Sequence, residues 1–195
     1  MLIIGDVHGK LQDYKKIVDS YKGLTIQLGD FGFREHHQWH LENLTSCRHR
    51  IIFGNHDDYS FLNEAHSYGN FSFFQSEDDS VIMTIRGAYS IDKAYRIEGV
   101  SYWNNEEMTY QEMQECISMY RLLKPSIVLS HTCPNVVQDE LFGIKDKAIT
   151  TIGMEVMFKY HQPSLWVFGH HHKKEKAVIN DTCFVALDEL GLYEI

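Results

Sequence analysis

The stretch Leu2-Ile3-Ile4-Gly5-Asp6-Val7-His8-Gly9 decides the fold. A short apolar run stops at a glycine and passes at once to two metal-capable side chains, Asp6 and His8. Leu11, Tyr14, Ile17, Val18 and Tyr21 then recur at helical spacing. Strand, sharp turn and helix form the unit of an α/β fold, in which ligands gather at the carboxyl ends of strands. The unit returns along the chain. Leu24 to Leu28 ends in Gly29-Asp30, Arg50 to Phe53 ends in Gly54-Asn55-His56, Ile127 to Leu129 ends in Ser130-His131, and Leu165 to Phe168 ends in Gly169-His170-His171-His172. Between these lie a polar helical stretch around Trp39, Leu41 and Leu44, and period-two runs at Phe71 to Phe73, Val81 to Ile85 and Val100 to Trp103 that read as strands. Thr109 with Glu112 predicts a capping-box start for a helix that runs to Leu123 and stops at Lys124-Pro125. The tail from Lys176 to Ile195 reads as a β-meander with a turn at Asn180-Asp181.

The chain has 195 residues, 18 basic and 27 acidic, for a formal charge of −9. Apolar residues at 44% and aromatics at 13% supply a core, which excludes a disordered chain. No linker, repeat or low-complexity tract divides it, so residues 1–195 are expected to form a single mixed α/β domain. No apolar run approaches the ~18 residues of a membrane span. The N-terminus meets an acid at Asp6 and carries no basic leader, which argues against a secretory signal. Cys47, Cys116, Cys133 and Cys183 are far apart, which argues against a thiolate zinc site and a disulfide framework. A reducing, cytoplasmic location follows as the expectation. An acidic chain also lacks the basic footprint of a nucleic-acid binder, so long nucleic acid is disfavoured as a partner.

Twelve histidines remain to be explained. If the five strands lie side by side, their ends bring together Asp6, His8, Asp30, Asn55, His56, His131, His170 and His172. Mixed carboxylate and imidazole donors suit Mn, Fe or Zn better than Ca or Mg. The donors are too many for one tetrahedral ion and match two ions that share a carboxylate. Two such ions ~3.5–4 Å apart clamp an in-line displacement at phosphorus. Two dications outweigh two carboxylates and a hydroxide, so the site attracts phosphate although the protein is acidic.

These motifs resemble the signature of the calcineurin-like metallophosphoesterase superfamily. Asp6-x-His8, Gly29-Asp30, Gly54-Asn55-His56-Asp57, Ser130-His131 and Gly169-His170-x-His172 occur in the family's order from residue 5 to residue 172. The resemblance implies a β-sandwich flanked by helices in four layers. It implies that Asp6, His8 and His172 hold one divalent transition-metal ion, that Asn55, His131 and His170 hold a second, and that Asp30 bridges them. Manganese ranks first, with iron, zinc or nickel behind it. It implies that His56 protonates the leaving group after attack by a metal-bridging hydroxide. In the protein-phosphatase branch the second motif continues to an Asp that orients the histidine and an Arg that binds phosphate; here those positions hold Phe33 and Arg34. Asp57 stands where that branch has Glu. The compact last motif is typical of small bacterial and phage phosphoesterases.

The expected activity is therefore hydrolysis of a phosphomonoester or phosphodiester, with a small-molecule or nucleotide substrate favoured. A protein serine/threonine phosphatase is the alternative, and a metal-binding interaction scaffold without catalysis is a third. Arg34 is a candidate catalytic and phosphate-binding residue. Arg86 and Arg96 are candidate substrate contacts within Arg86-Gly87-Ala88-Tyr89-Ser90-Ile91-Asp92-Lys93-Ala94-Tyr95-Arg96; the competing reading is a solvated strand pair. His36 and His40 read as an exposed helical face, His49, His66 and His161 as surface or packing residues, and His171 as a bystander. Met113, Cys116, Ile117, Tyr120 and Leu123 form a core stripe. Nothing in the sequence fixes an oligomeric state.

Overall fold

The computed structural model describes residues 1–44, 48–62, 66–76 and 78–195; Cys47 lies outside the described residues. The first half of the chain forms β1 (Leu2–Ile4), α1 (Leu11–Ser20), β2 (Thr25–Gln27), α2 (Arg34–Asn43), β3 (His49–Ile51), β4 (Phe71–Gln75) and β5 (Val81–Ile85). The second half forms α3 (Tyr110–Leu123), β6 (Ile127–Ser130), α4 (Asn135–Phe142), α5 (Ile149–Tyr160), β7 (Leu165–Phe168), β8 (Glu175–Ile179), β9 (Thr182–Ala186) and β10 (Leu192–Glu194). One sheet has the order β10-β1-β2-β3 and the other β4-β5-β6-β7-β9-β8. Within them β1, β2 and β3 run parallel, as do β5, β6, β7 and β9; the antiparallel β10, β4 and β8 lie at three of the edges, and the parallel β3 at the fourth.

Alternation along the strands sorts side chains into layers. Ile3, Ile26, Leu129 and Val167 meet between the sheets. Leu2 and Ile4 face the other way, onto Tyr14 and Val18 of α1. Val128, Trp166 and Phe168 pack outward against Met113, Tyr120, Met154 and Phe158 of α3 and α5. The result is helix, sheet, sheet, helix: the four-layer β-sandwich expected. The central strands β1, β6 and β7 are buried on both faces, which is why they read as continuous apolar runs.

Local chemistry sets several boundaries as anticipated. The Thr109 N–H donates to Glu112 Oε2 at 2.7 Å, and the Glu112 N–H returns to Thr109 Oγ1 at 3.3 Å, which caps α3. Asn180 and Asp181 both adopt positive φ, 47° and 66°, and turn the β8–β9 hairpin.

Four expectations are corrected. Val100 to Trp103 is a turn with an isolated bridge from Glu98 to Tyr102, because the chain between β5 and α3 makes an excursion rather than a sheet pair. The tail is not a meander: β10 leaves β9 and pairs with β1 in the opposite sheet. The five motif-bearing strands do not share one sheet but divide between two, β1, β2 and β3 against β6 and β7. His40 is not on an exposed face but buried against Phe31 and His66. The helices α4 and α5 were not anticipated by periodicity; α5 carries apolar residues on all sides, with Asp146 accepting from the Ala148 N–H at 2.9 Å where its N-cap side chain makes no hydrogen bond.

Burial, followed by the neighbouring His66, His37 and His49, pushes the His40 imidazole down to about 3. A depressed native value means that the unfolded chain binds the extra proton first. His40 therefore contributes stability that is complete above pH ~6.5 and is lost as pH falls toward its native value. Replacing it (His40→Gln) should flatten the slope of urea-unfolding stability between pH 6.5 and 4; an unchanged slope would assign acid lability elsewhere.

Candidate metal centre

The turns after β1, β2 and β3 lie opposite the turns after β6 and β7, at the carboxyl ends of both sheets. Glycine permits the close approach. A Cβ on Gly54 would strike the Asp30 carboxylate and the His131 ring, and one on Gly169 would strike Asp6 Oδ1. Four of the candidate ligands themselves adopt left-handed backbone: His8 (φ 45°), Asp30 (54°), His170 (68°) and His172 (50°). Such residues cost of order 1–3 kcal/mol each and persist where the surroundings force them, which marks functional sites.

Two clusters of donor atoms form. Asp6, His8, Asp30 and His172 make one, and Asp30, His131 and His170 the other, with the donor atoms within each cluster all lying within 4.8 Å of one another. In the first, His172 Nε2 lies 3.2 Å from Asp6 Oδ2, and His8 Nε2 lies 3.6 Å from Asp30 Oδ2. In the second, His131 Nε2 lies 3.3 Å from Asp30 Oδ1 and 3.0 Å from Asn55 Oδ1. Asp30 thus turns one oxygen toward each cluster. All seven candidate ligands are brought together.

The donor set fits divalent metal. The Nε2 atoms of His8 and His172 face each other at 2.8 Å, beside two fully buried carboxylates. Burial raises the Asp6 carboxyl, but His172 and His8 outweigh it and hold the group well below the usual carboxylate range. Burial, then Asp6 and Asp57, pushes the Asp30 carboxyl well up, because the site crowds negative charge. Burial depresses His131, and burial followed by His131 depresses His170, so both rings are held neutral, the form that binds metal. The His131 Nδ1–H donates to the Leu28 carbonyl at 2.7 Å, leaving Nε2 as a lone pair aimed at Asp30 and Asn55.

His56 stands at the edge of this centre, its ring centroid 5.4 Å from that of His8 and its backbone N–H donating to Asp30 Oδ1 at 2.8 Å. The partner of its ring is Arg96, whose Nη1 lies 2.7 Å from Nδ1. Burial, then Arg96, pushes the imidazole down to about 4. Arg96 is itself held by Asp92 at 2.7 and 2.8 Å and by the Ser101 carbonyl. The other two arginines are engaged elsewhere. Arg34 is 65% exposed, pairs with Asp58 at 3.2 Å and lies over Phe61. Arg86 is buried, donating to Asn70 Oδ1 and the Asn105 carbonyl and lying over Tyr59. His171 packs on Phe142, and the ring of Phe33 lies 6.3 Å from His56.

Sequence reasoning gave no role to Asp57 and did not single out His37. The buried Asp57 carboxylate accepts N–H groups of Asp30 (2.9 Å), Gly32 (3.1 Å) and Gly54 (2.6 Å), and meets His37 Nε2 at 3.0 Å. Burial raises its carboxyl, but His37 and these N–H groups outweigh it and lower it. The available signal was an acid directly after Asn55-His56 and a histidine inside an otherwise polar helix. Asp57→Ala strands three buried N–H groups and an imidazole, so a loss of about 3–5 kcal/mol in urea unfolding is expected. A loss under about 1 kcal/mol would show that the carboxylate does not hold these turns.

The sequence pattern of the calcineurin-like phosphoesterase family matches residues 1–174. No curated protein matches the chain. Among solved structures, TT1561 of Thermus thermophilus superposes with a TM-score of 0.62 at 14% identity, covering 97% of this chain and 90% of that one. The phosphopantetheinyl hydrolase PptH of Mycobacterium tuberculosis gives 0.59 at 12% identity, covering 96% and 89%. A putative 5′-nucleotidase of Staphylococcus aureus gives 0.54 at 12% identity over 98% of this chain; the chain spans only 49% of that protein. At these identities the likeness is one of fold. With the family pattern over most of its length, the chain belongs to the calcineurin-like phosphoesterases, metal-dependent hydrolases of phosphoric esters.

Proposed function

We propose that the protein hydrolyses a small-molecule or nucleotide phosphoester with two divalent transition-metal ions, manganese first among them. The observation that carries this reading is Asp30, which turns Oδ2 toward His8 and Oδ1 toward His131 and so joins two donor clusters. Asp6, His8 and His172 would complete one ion's ligands; Asn55, His131 and His170 would complete the other's. When bound, the ions supply positive charge for the phosphoryl oxygens and acidify water.

The remaining work falls to side chains at the rim. Arg96, pre-aligned by Asp92 and Ser101, is the phosphate-binding arginine in this reading; its guanidinium fork matches phosphate geometry. Drawn to the substrate, Arg96 leaves the His56 ring free to take up a proton from solvent and pass it to the leaving oxygen. Arg86 takes a structural role instead, since its donors are committed to Asn70 and the Asn105 carbonyl, and Arg34 Nε is drawn to Asp58 in an ion pair while the rest of its guanidinium stays exposed.

The test is turnover of p-nitrophenyl phosphate and bis-p-nitrophenyl phosphate with added Mn²⁺, followed by a panel of nucleotides and phosphopeptides. Turnover should be lost in Asp30→Asn, and His56→Ala should lower kcat by about 10²–10⁴-fold. Removing a charged hydrogen bond of about 1.5–3 kcal/mol, Arg96→Ala should act mainly on KM, by roughly ten- to hundred-fold. No turnover of any ester after metal loading, or full activity in Asp30→Asn, sinks this reading. Bound manganese without turnover would favour the scaffold, and preference for phosphopeptides the protein phosphatase.

A further inference from the structure

The excursion between β5 and α3 reaches the centre at a second point besides Arg96. Asn55 Nδ2 donates to Ser90 Oγ at 3.0 Å, and all three residues of the chain Asn55, Ser90 and Glu106 are nearly fully buried. Glu106 Oε1 accepts the backbone N–H of Ser90 at 3.1 Å. Glu106 is fixed in turn: the Tyr59 hydroxyl lies 3.1 Å from both the Glu106 carbonyl and the Gly54 carbonyl, the residue before Asn55. Gly87, at φ 84°, lets the start of the excursion close on Glu106, because a Cβ there would strike the Glu106 carbonyl. The excursion is thus pinned at both ends around one amide.

An amide side chain can present either its oxygen or its NH₂ to a cation, and only the oxygen ligates. Ser90 takes the NH₂, and so Oδ1 is the atom left beside His131 Nε2. We infer that Ser90, backed by Glu106, is a positioning residue that fixes the amide of Asn55 for the His131–His170 metal subsite and leaves the Asp6–His8–His172 subsite untouched. The inference rests on the two-ion reading above. It makes the excursion bifunctional, with Arg96 serving the substrate and Ser90 serving one metal.

Manganese titration by calorimetry on metal-free protein, with melting of that metal-free protein as a control, decides it. The wild type should take up two Mn²⁺ per chain. Ser90→Ala should weaken one ion by about ten- to hundred-fold, the usual effect of losing a ligand's orienting partner, and leave the other unchanged. Ser90→Thr, which keeps the hydroxyl, should restore wild-type binding, and Arg96→Ala should bind both ions normally. If Ser90→Ala does not fold, Ser90→Cys, whose sulfur is only a weak acceptor, takes its place, with the same one-ion loss expected. Two wild-type ions with both unaffected in the variant, or both weakened equally, overturns the positioning role alone. A wild type that binds fewer than two ions overturns the two-ion reading and this inference together.

Discussion

The centre depends on a carboxylate that the sequence reading left without a role. Asp57 gathers the backbone N–H groups of Asp30, Gly32 and Gly54 at one point and is held by His37 from α2. The turns after two neighbouring strands are thereby locked to each other and to a helix. A buried anion with three N–H donors and an imidazole is fully satisfied, and its geometry is correspondingly stiff. Because Asp30 takes its direction from that lock, both donor clusters that share Asp30 inherit it.

A second constraint is the facing of the two sheets. Strand ends from one sheet supply Asp6, Asp30 and Asn55, and strand ends from the other supply His131 and His170. The apolar layer of Ile3, Ile26, Leu129 and Val167 sets the distance between them. Both carboxylates, with His8 and Asn55, come from one wall and His131, His170 and His172 from the other, and they meet across a gap fixed by packing rather than by loops. His170 confirms the closeness: its N–H reaches both oxygens of Asp6 at 3.1 Å.

Much of this was legible in the sequence. The strands β1, β5, β6 and β7 announced themselves because burial on both faces makes an apolar run, and the small residue before Asp6, Asp30, Asn55, His131 and His170 (Gly in four cases, Ser130 in the fifth) announced a turn. The capping box at Thr109 and the turn at Asn180-Asp181 are local chemistry, which sequence reports directly. What stayed hidden is non-local. Nothing near Arg34 says that its Nε will pair with Asp58, and nothing near Arg96 says that it will face His56, forty residues away. The sheet exchange by β10 is a packing outcome, since Leu192 to Glu194 carries the same pattern as a meander strand. The helix α5 escaped because its apolar residues lie on every side, which removes the stripe that periodicity detects. Ser90 escaped for the same reason as Asp57: a hydrogen bond to a distant ligand leaves no trace in spacing.

The contact between Asp6 and His170 spans 164 residues of chain. A chain leaving the ribosome would thus carry its first acid and first imidazole long before their partners exist, and the strained, left-handed ligands have nothing to hold them until both sheets have closed. Closing so long a loop is slow and is driven by the apolar layers, not by an ion. The centre is therefore assembled by long-range packing of the two sheets, and the left-handed turns that carry its ligands depend on that packing.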